Sequence, residues 1–215
     1  MKKIFCTAIL SMLCVFAGFA QTQENDPFAD YTPKEKVRHS YEQIYSFNWL
    51  SSLPLGSSAD YISSFSPKGF SFNFSYFFTS NLGVGVDFGW SYNSKFIPRE
   101  VYRPDENTAI AAATNRHSDI FPIKAQFKYM INPKSAVKVY ASAGIGGLRY
   151  GEETHVQDLS ISDHSWGFLM SPEIGIIVPF GKDATYGLNA NAGINWATNN
   201  FFNLYFNLGL YIGIY

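Results

Sequence analysis

The sequence predicts an all-β fold, an eight-stranded antiparallel up-and-down transmembrane β-barrel, and three observations lead to this prediction. Charged residues make up only 15% of the 215 residues, whereas aromatic residues make up 18%; soluble domains carry about 25% charged residues. Large apolar residues alternate with small or polar ones in eight segments, which is typical of strands with two different faces. Between the first and last large residue of each segment, the apolar face carries no lysine, arginine, aspartate or glutamate.

The first residues, 1–20, are predicted to be a secretory signal peptide. Lys2 and Lys3 precede a short apolar run, and Gly18 and Ala20 are small residues at the positions that signal peptidase reads. Both cysteines of the chain fall within this segment. Cleavage would therefore leave a chain without thiols, which excludes a disulfide scaffold or a thiol enzyme. An uncleaved anchor helix is the alternative.

The barrel domain is predicted over 41–215, after a polar periplasmic leader over 21–40 that contains two prolines. The clearest strand is 69–78, where every even position is aromatic and the odd positions up to 75 are glycine, serine or asparagine. The predicted strands are 43–50, 69–78, 83–92, 119–130, 137–147, 166–180, 185–196 and 202–214. In the same order, their apolar faces run from Tyr45 to Trp49, Phe70 to Phe78, Val84 to Tyr92, Phe121 to Tyr129, Val137 to Ile145, Trp166 to Phe180, Tyr186 to Trp196 and Phe202 to Ile214.

The connections between these strands alternate in length, as transmembrane barrels with short periplasmic turns and long extracellular loops do. The predicted tight turns are 79–82, 131–135 and 181–184, the predicted long loops are 54–67, 94–118 and 151–165, and the last extracellular connection, near 198–200, is short. Strands of about ten residues are long enough to cross a bilayer when they are tilted.

The apolar faces are predicted to contact lipid rather than to fill the barrel. An eight-stranded interior is too narrow for this volume of aromatic side chains, whereas glycine, serine and asparagine suit it. Aromatic residues also concentrate near the segment ends, which predicts girdles at both membrane interfaces. A soluble secreted β-protein is the alternative.

The stretches Pro54-Leu55-Gly56, Asp60-Tyr61-Ile62, 69–85 and Pro172-Glu173-Ile174-Gly175 resemble the small outer-membrane β-barrel proteins of Gram-negative bacteria, the OmpA-, OmpX- and OmpW-like barrels. The resemblance covers 41–215, implies an outer-membrane location, and is silent on activity. One departure concerns Tyr215. Barrels of this class commonly end in an aromatic residue on the lipid-facing side, which the assembly machinery reads. Strict alternation places this C-terminal aromatic residue on the opposite face, so either a bulge shifts the register of the last strand or the assembly signal of this chain differs.

Five charged residues fall on the small-residue faces and therefore inside the predicted barrel: Asp87, Lys124, Lys128, Lys138 and Glu173. Unpaired buried charges cost several kcal/mol, so these groups are predicted to form a structural network of polar contacts. The alternative is a narrow, low-conductance pore lined by the same groups.

No catalytic, cofactor-binding or metal site is predicted. His164-Ser165 with Glu173 invites comparison with the outer-membrane lipid A deacylases, which makes a lipid A-modifying enzyme the third functional hypothesis, although the spacing does not match. His155 and His164 share a segment with Glu152, Glu153, Asp158 and Asp163, but no established metal-ligand spacing is present.

The remaining candidates for function are the extracellular loops, which combine mixed charges with scattered apolar residues. The sequence predicts a structural or surface-interaction role, with outer-membrane lipid and lipopolysaccharide around the barrel and a possible surface partner at 54–67, 94–118 and 151–165. A formal net charge of −1 gives no electrostatic basis for binding nucleic acid. We expect a monomer.

Overall fold

The computed structural model describes residues 42–105, 108–156, 159–180 and 185–214. The predicted signal peptide, leader and 181–184 turn lie outside the described residues, as does Tyr215.

The described residues form a closed antiparallel barrel in which each strand pairs with its neighbours in sequence and the last strand pairs with the first. The strands are β1 (Gln43–Pro54), β2 (Gly69–Phe77), β3 (Leu82–Asp105), β4 (Thr108–Met130), β5 (Lys138–Val156), β6 (Leu159–Phe180), β7 (Tyr186–Ala197) and β8 (Phe202–Ile214), and one short helix, α1 (Ser58–Tyr61), follows β1. The predicted fold class is confirmed. Closure gives every strand two partners, which a sheet in lipid requires.

The two faces of the strands are oriented as the alternation predicts. Phe47 and Trp49 each expose 63% of their surface, whereas Asn48 between them is fully buried. In β8, Leu210 is 62% exposed and its neighbour Tyr211 is buried. The apolar faces therefore cover the outside of the barrel, and the small and polar residues face its interior.

The chain's four tryptophans, Trp49, Trp90, Trp166 and Trp196, all lie on the outward face toward the end of the barrel with the longer connections. Tyrosines Tyr45, Tyr129 and Tyr186 lie near the opposite end. Rings with an apolar body and a polar edge favour the headgroup level, so the two sets mark the outer and inner boundaries of the apolar band.

The prediction that 94–118 and 151–165 are loops is wrong, because the described residues of both segments continue the paired strands. The β3–β4 ladder runs out to Asp105 opposite Thr108, and the β5–β6 ladder runs out to Val156 opposite Leu159. Outside the membrane both faces of a strand contact water, so the apolar alternation ends although the backbone pairing does not. We call the four-stranded part beyond the barrel, residues 93–105, 108–119, 151–156 and 159–165, the extracellular sheet.

The segment 55–68 crosses the extracellular mouth of the barrel. Its α1 residue Tyr61 hydrogen-bonds Thr154 of β5 at 2.8 Å, and Arg116 of β4 lies over the Tyr61 ring at 5.2 Å. Burial raises the pKa of the Tyr61 phenol, although the Thr154 hydrogen bond opposes the shift. Ile62 is fully buried beneath. No helix in the described part of the chain is long and apolar enough to cross a membrane.

The register of β8 is continuous to its described end. Ile214 pairs with Gln43 and Gly213 with Ile44, and no irregularity interrupts the β1–β8 ladder. The bulge considered for the C-terminus is therefore absent through Ile214.

Candidate functional site

Polar side chains from all eight strands form a buried network in the middle of the barrel, and Lys124 of β4 lies at its centre. Its Nζ lies 3.7 Å from both Asp87 Oδ1 and Glu173 Oε2. It also donates hydrogen bonds to the Tyr205 hydroxyl at 2.8 Å and to Ser171 Oγ at 3.0 Å. The ammonium group therefore has two counterions and two neutral acceptors, which compensates for its removal from water.

The Glu173 carboxylate is held by donors from three further strands. The hydroxyl of Tyr205 donates to Oε2 at 2.8 Å, the hydroxyl of Tyr140 donates to Oε1 at 3.2 Å, and the Gln126 amide donates to Oε2 at 3.4 Å. Hydrogen bonds to an ionised group are stronger than those between neutral groups. This arrangement stabilises the charged form of Glu173 in the interior.

The other predicted interior charges are placed differently. Lys128 donates to Asn73 Oδ1 at 2.7 Å and lies 4.9 Å from the centre of the Tyr140 ring, but it makes no salt bridge with a described residue. Lys138 donates to the carbonyl of Pro133 at the adjacent turn. Asp87, Lys124, Lys128 and Glu173 thus belong to one network, and the contact described for Lys138 is at the periplasmic end.

Two cross-strand pairs of tyrosine and glycine give this network its shape, and the alternation of apolar and polar residues did not predict them. Tyr140 pairs with Gly175 and Tyr205 pairs with Gly193. A Cβ atom at Gly193 would lie 2.6 Å from Tyr205 Cζ, and one at Gly175 would lie 2.7 Å from Tyr140 Cε1. The rings lie across bare backbone, which lets each hydroxyl reach Glu173.

Apolar layers close the interior above and below the network. The periplasmic layer contains Ile44, Phe77, Met130, Ile177 and Tyr211, and the extracellular layer contains Ile120, Leu148, Tyr150, Leu169, Ala197 and Phe201. The charged centre therefore has an apolar plug on each side.

The histidine-containing groups are not assembled into a catalytic or metal site in the described residues. Glu173 lies nine positions from His164 along β6, about 30 Å along an extended strand, and Ser165 Oγ accepts a hydrogen bond from Asn199. His155 contacts Glu153 at 3.2 Å. No group of three or more potential metal ligands occurs among the described residues; Asp158 lies outside them.

A closed barrel of eight tilted strands, apolar outside and polar at its centre, defines a small integral protein of the bacterial outer membrane. The family model of the outer membrane protein beta-barrel domain matches residues 10–191. The chain belongs to this family, and its location is the outer membrane.

Solved structures are similar to this chain at low sequence identity, and those of Ail and NspA share its fold. The attachment invasion locus protein Ail of Yersinia pestis superposes with a TM-score of 0.54 and 12% identity over 82% of this chain and 100% of Ail. Neisserial surface protein A, NspA, gives 0.50 and 13% over 80% of this chain and 96% of NspA. The outer membrane protease OmpT of Escherichia coli gives 0.47 and 9% over 80% and 96%. No curated protein sequence is significantly similar.

Proposed function

We propose that this chain is a non-enzymatic surface-interaction protein that binds a macromolecular partner through its extracellular sheet. The observation that carries the proposal is the continuation of β3, β4, β5 and β6 as one hydrogen-bonded sheet beyond the apolar band. A barrel that only spans the membrane does not need these residues. An ordered sheet outside it offers a partner a preformed surface, which lowers the entropic cost of binding.

The edges of the sheet are less suitable for binding than its faces. Along β3, Ser66 Oγ and Ser64 Oγ donate to the carbonyls of Tyr92 and Ser94 at 2.5 and 3.1 Å, and the ladder is irregular between Ile97 and Glu100. Along β6, the Asp163 carboxylate accepts the backbone N–H of His164 at 2.8 Å. Occupied edge groups, irregularities and edge charges oppose the addition of another strand.

The outward face carries an exposed group of aromatic and imidazole rings. Phe96 is 64% exposed, and it lies in the ladder row of Asn115 and His155. The Tyr92 hydroxyl contacts His117 Nδ1 at 2.5 Å, and the rings of His117 and His155 are 5.3 Å apart. Aromatic residues are enriched in the buried centres of protein interfaces, so we assign the partner to this face.

The interior argues against the two alternative functions. Water in a pore would have to pass both apolar layers, and the charged groups between them are engaged with one another. A lipid A-modifying reaction would require His164 and Glu173 to act together, and the length of β6 separates them. A binding function, by contrast, depends only on the exposed residues of the extracellular sheet.

Photo-crosslinking in intact cells tests the proposal. A photoreactive residue at Phe96 should give a discrete adduct, because that side chain would lie inside the interface. Matched controls are Ile161, exposed on the opposite face of the sheet, and Lys134, exposed at a periplasmic turn; neither should give that adduct. The same adduct from Ile161, or no discrete adduct at Phe96, would contradict the assignment.

A further inference from the structure

Arg149 carries a positive charge on the lipid-facing row of β5. The preceding outward positions of this strand include Val139 and Ile145, and Ile145 is 56% exposed. Arg149 itself pairs with Phe121 on β4 and with Trp166 on β6, and both of these rings are exposed on the outside of the barrel. The guanidinium group therefore belongs to the outer surface and not to the interior network.

Arg149 lies at the height of the extracellular edge of the apolar band. It lies ten residues beyond Val139 on the same face, which at about 3.3 Å per residue and a tilt near 45° is a rise of about 23 Å. The apolar band of such barrels is about 25 Å tall. Trp166 and Trp90, which mark the outer girdle, flank this level.

Among the described residues, Arg149 has no counterion. Arg149 makes no hydrogen bond or salt bridge with another described residue. Asp119, one step further out in the ladder opposite Gly151, instead accepts a hydrogen bond from Trp90 Nε1 at 3.1 Å. A cation next to hydrocarbon is unfavourable without an anionic partner, so the expected counterion comes from the surrounding lipid.

The backbone on the periplasmic side of Arg149 is open on this face, whereas on the extracellular side the His164 ring covers Gly151. Gly147 and Gly151 occupy the outward positions before and after it. A Cβ atom at Gly147 would meet only the Trp166 ring, at 3.8 Å, so no β5 side chain screens the guanidinium from below. A lipid headgroup could therefore reach the guanidinium from the Gly147 side.

We propose that Arg149 binds the phosphate group of an outer-leaflet lipid, with Phe121 and Trp166 contacting the adjoining acyl region. The planar guanidinium donates two parallel hydrogen bonds to a phosphate, and the membrane supplies that group at the level where Arg149 lies. This site is separate from the extracellular face assigned above, and its test is independent of that assignment.

Lipid retention by the purified, folded chain in detergent tests the proposal. Native mass spectrometry would measure binding of lipid A, of dephosphorylated lipid A and of inorganic phosphate to wild type, R149Q, R149K and K134Q. K134Q is the matched control because it removes one positive charge at a periplasmic turn. Heat-modifiable migration on gels would confirm that each variant is folded.

We expect R149Q to weaken lipid A binding about tenfold, the usual scale for a charge-assisted hydrogen-bonded pair. K134Q should bind as wild type does, and R149K should be intermediate because an ammonium group cannot bind bidentately. Dephosphorylated lipid A should not distinguish R149Q from wild type.

Four results would overturn the proposal. Equal lipid A binding by R149Q and wild type would remove the arginine from the site. An equal loss with dephosphorylated lipid A would assign the contact to packing and not to phosphate, and inorganic phosphate bound as tightly as lipid A would identify a site for free phosphate. D119N adds a further control, because a loss matching that of R149Q would indicate a protein ion pair.

Discussion

Replacing Glu173 by glutamine should lower the free energy of unfolding by about 3–5 kcal/mol, the cost of breaking a buried ion pair on one side. The substitution keeps the shape of the side chain but leaves Lys124 and Lys128 with a single carboxylate, Asp87, in the network. It also removes the charged acceptor of the Tyr205 hydroxyl. Denaturant titration of the barrel in lipid vesicles, followed by heat-modifiable migration, would measure the change.

A double variant distinguishes the effect of charge balance on stability from the effect of packing. In K128M/E173Q the network holds one cation and one anion and is neutral, as the wild-type network of two cations and two anions is, so the double variant should be more stable than the sum of the single changes predicts, by about 0.5–3 kcal/mol. E42Q, at an exposed position before β1, should stay within about 0.5 kcal/mol of wild type. An E173Q barrel as stable as E42Q would show that the network contributes little.

The second large effect is expected for Val86→Lys on the outside of the barrel. Val86 is half-exposed and lies midway between Leu82, at the periplasmic turn, and Trp90, in the outer girdle. A lysine near the middle of the bilayer costs about 2–4 kcal/mol. Unfolding in vesicles would measure this loss.

The control for Val86→Lys is the same residue type in water. Ser160 is exposed on the extracellular sheet, and S160K should change stability by no more than about 0.5 kcal/mol. Equal effects of the two lysines would mean that Val86 does not contact hydrocarbon.

The strands and their orientation could be predicted because the membrane imposes a strict rule on each residue. Outward positions such as Val86 must be apolar, while inward positions such as Asp87 face a polar interior. Apolar and polar residues therefore alternate along every membrane-spanning segment. The same alternation predicts Asp87, Lys124 and Glu173 inside the barrel in one polar network, and the 3.7 Å separations agree.

The extracellular sheet and the tyrosine pairs could not be predicted, because neither leaves a signal in the alternation of apolar and polar residues. Beyond Tyr92 and Arg149 water contacts both faces, and hydrogen bonding of the backbone alone maintains the strands, which leaves no hydropathy signal. The positions of Tyr140 and Tyr205 depend on which residue stands opposite in the next strand. The sequence signal that would predict both tyrosine–glycine pairs is a large inward residue opposite a glycine in the neighbouring strand.

The apolar faces of the strands contact acyl chains, and the small-residue faces form the interior. The predicted mature chain has no cysteine, so single cysteines along β8 can carry a nitroxide label in lipid vesicles. Accessibility to oxygen, which dissolves in hydrocarbon, should rise and fall with period two and peak at Leu208, Leu210 and Ile212. Accessibility peaks at Asn207, Gly209 and Tyr211 instead, or no periodicity, would contradict this orientation of the two faces.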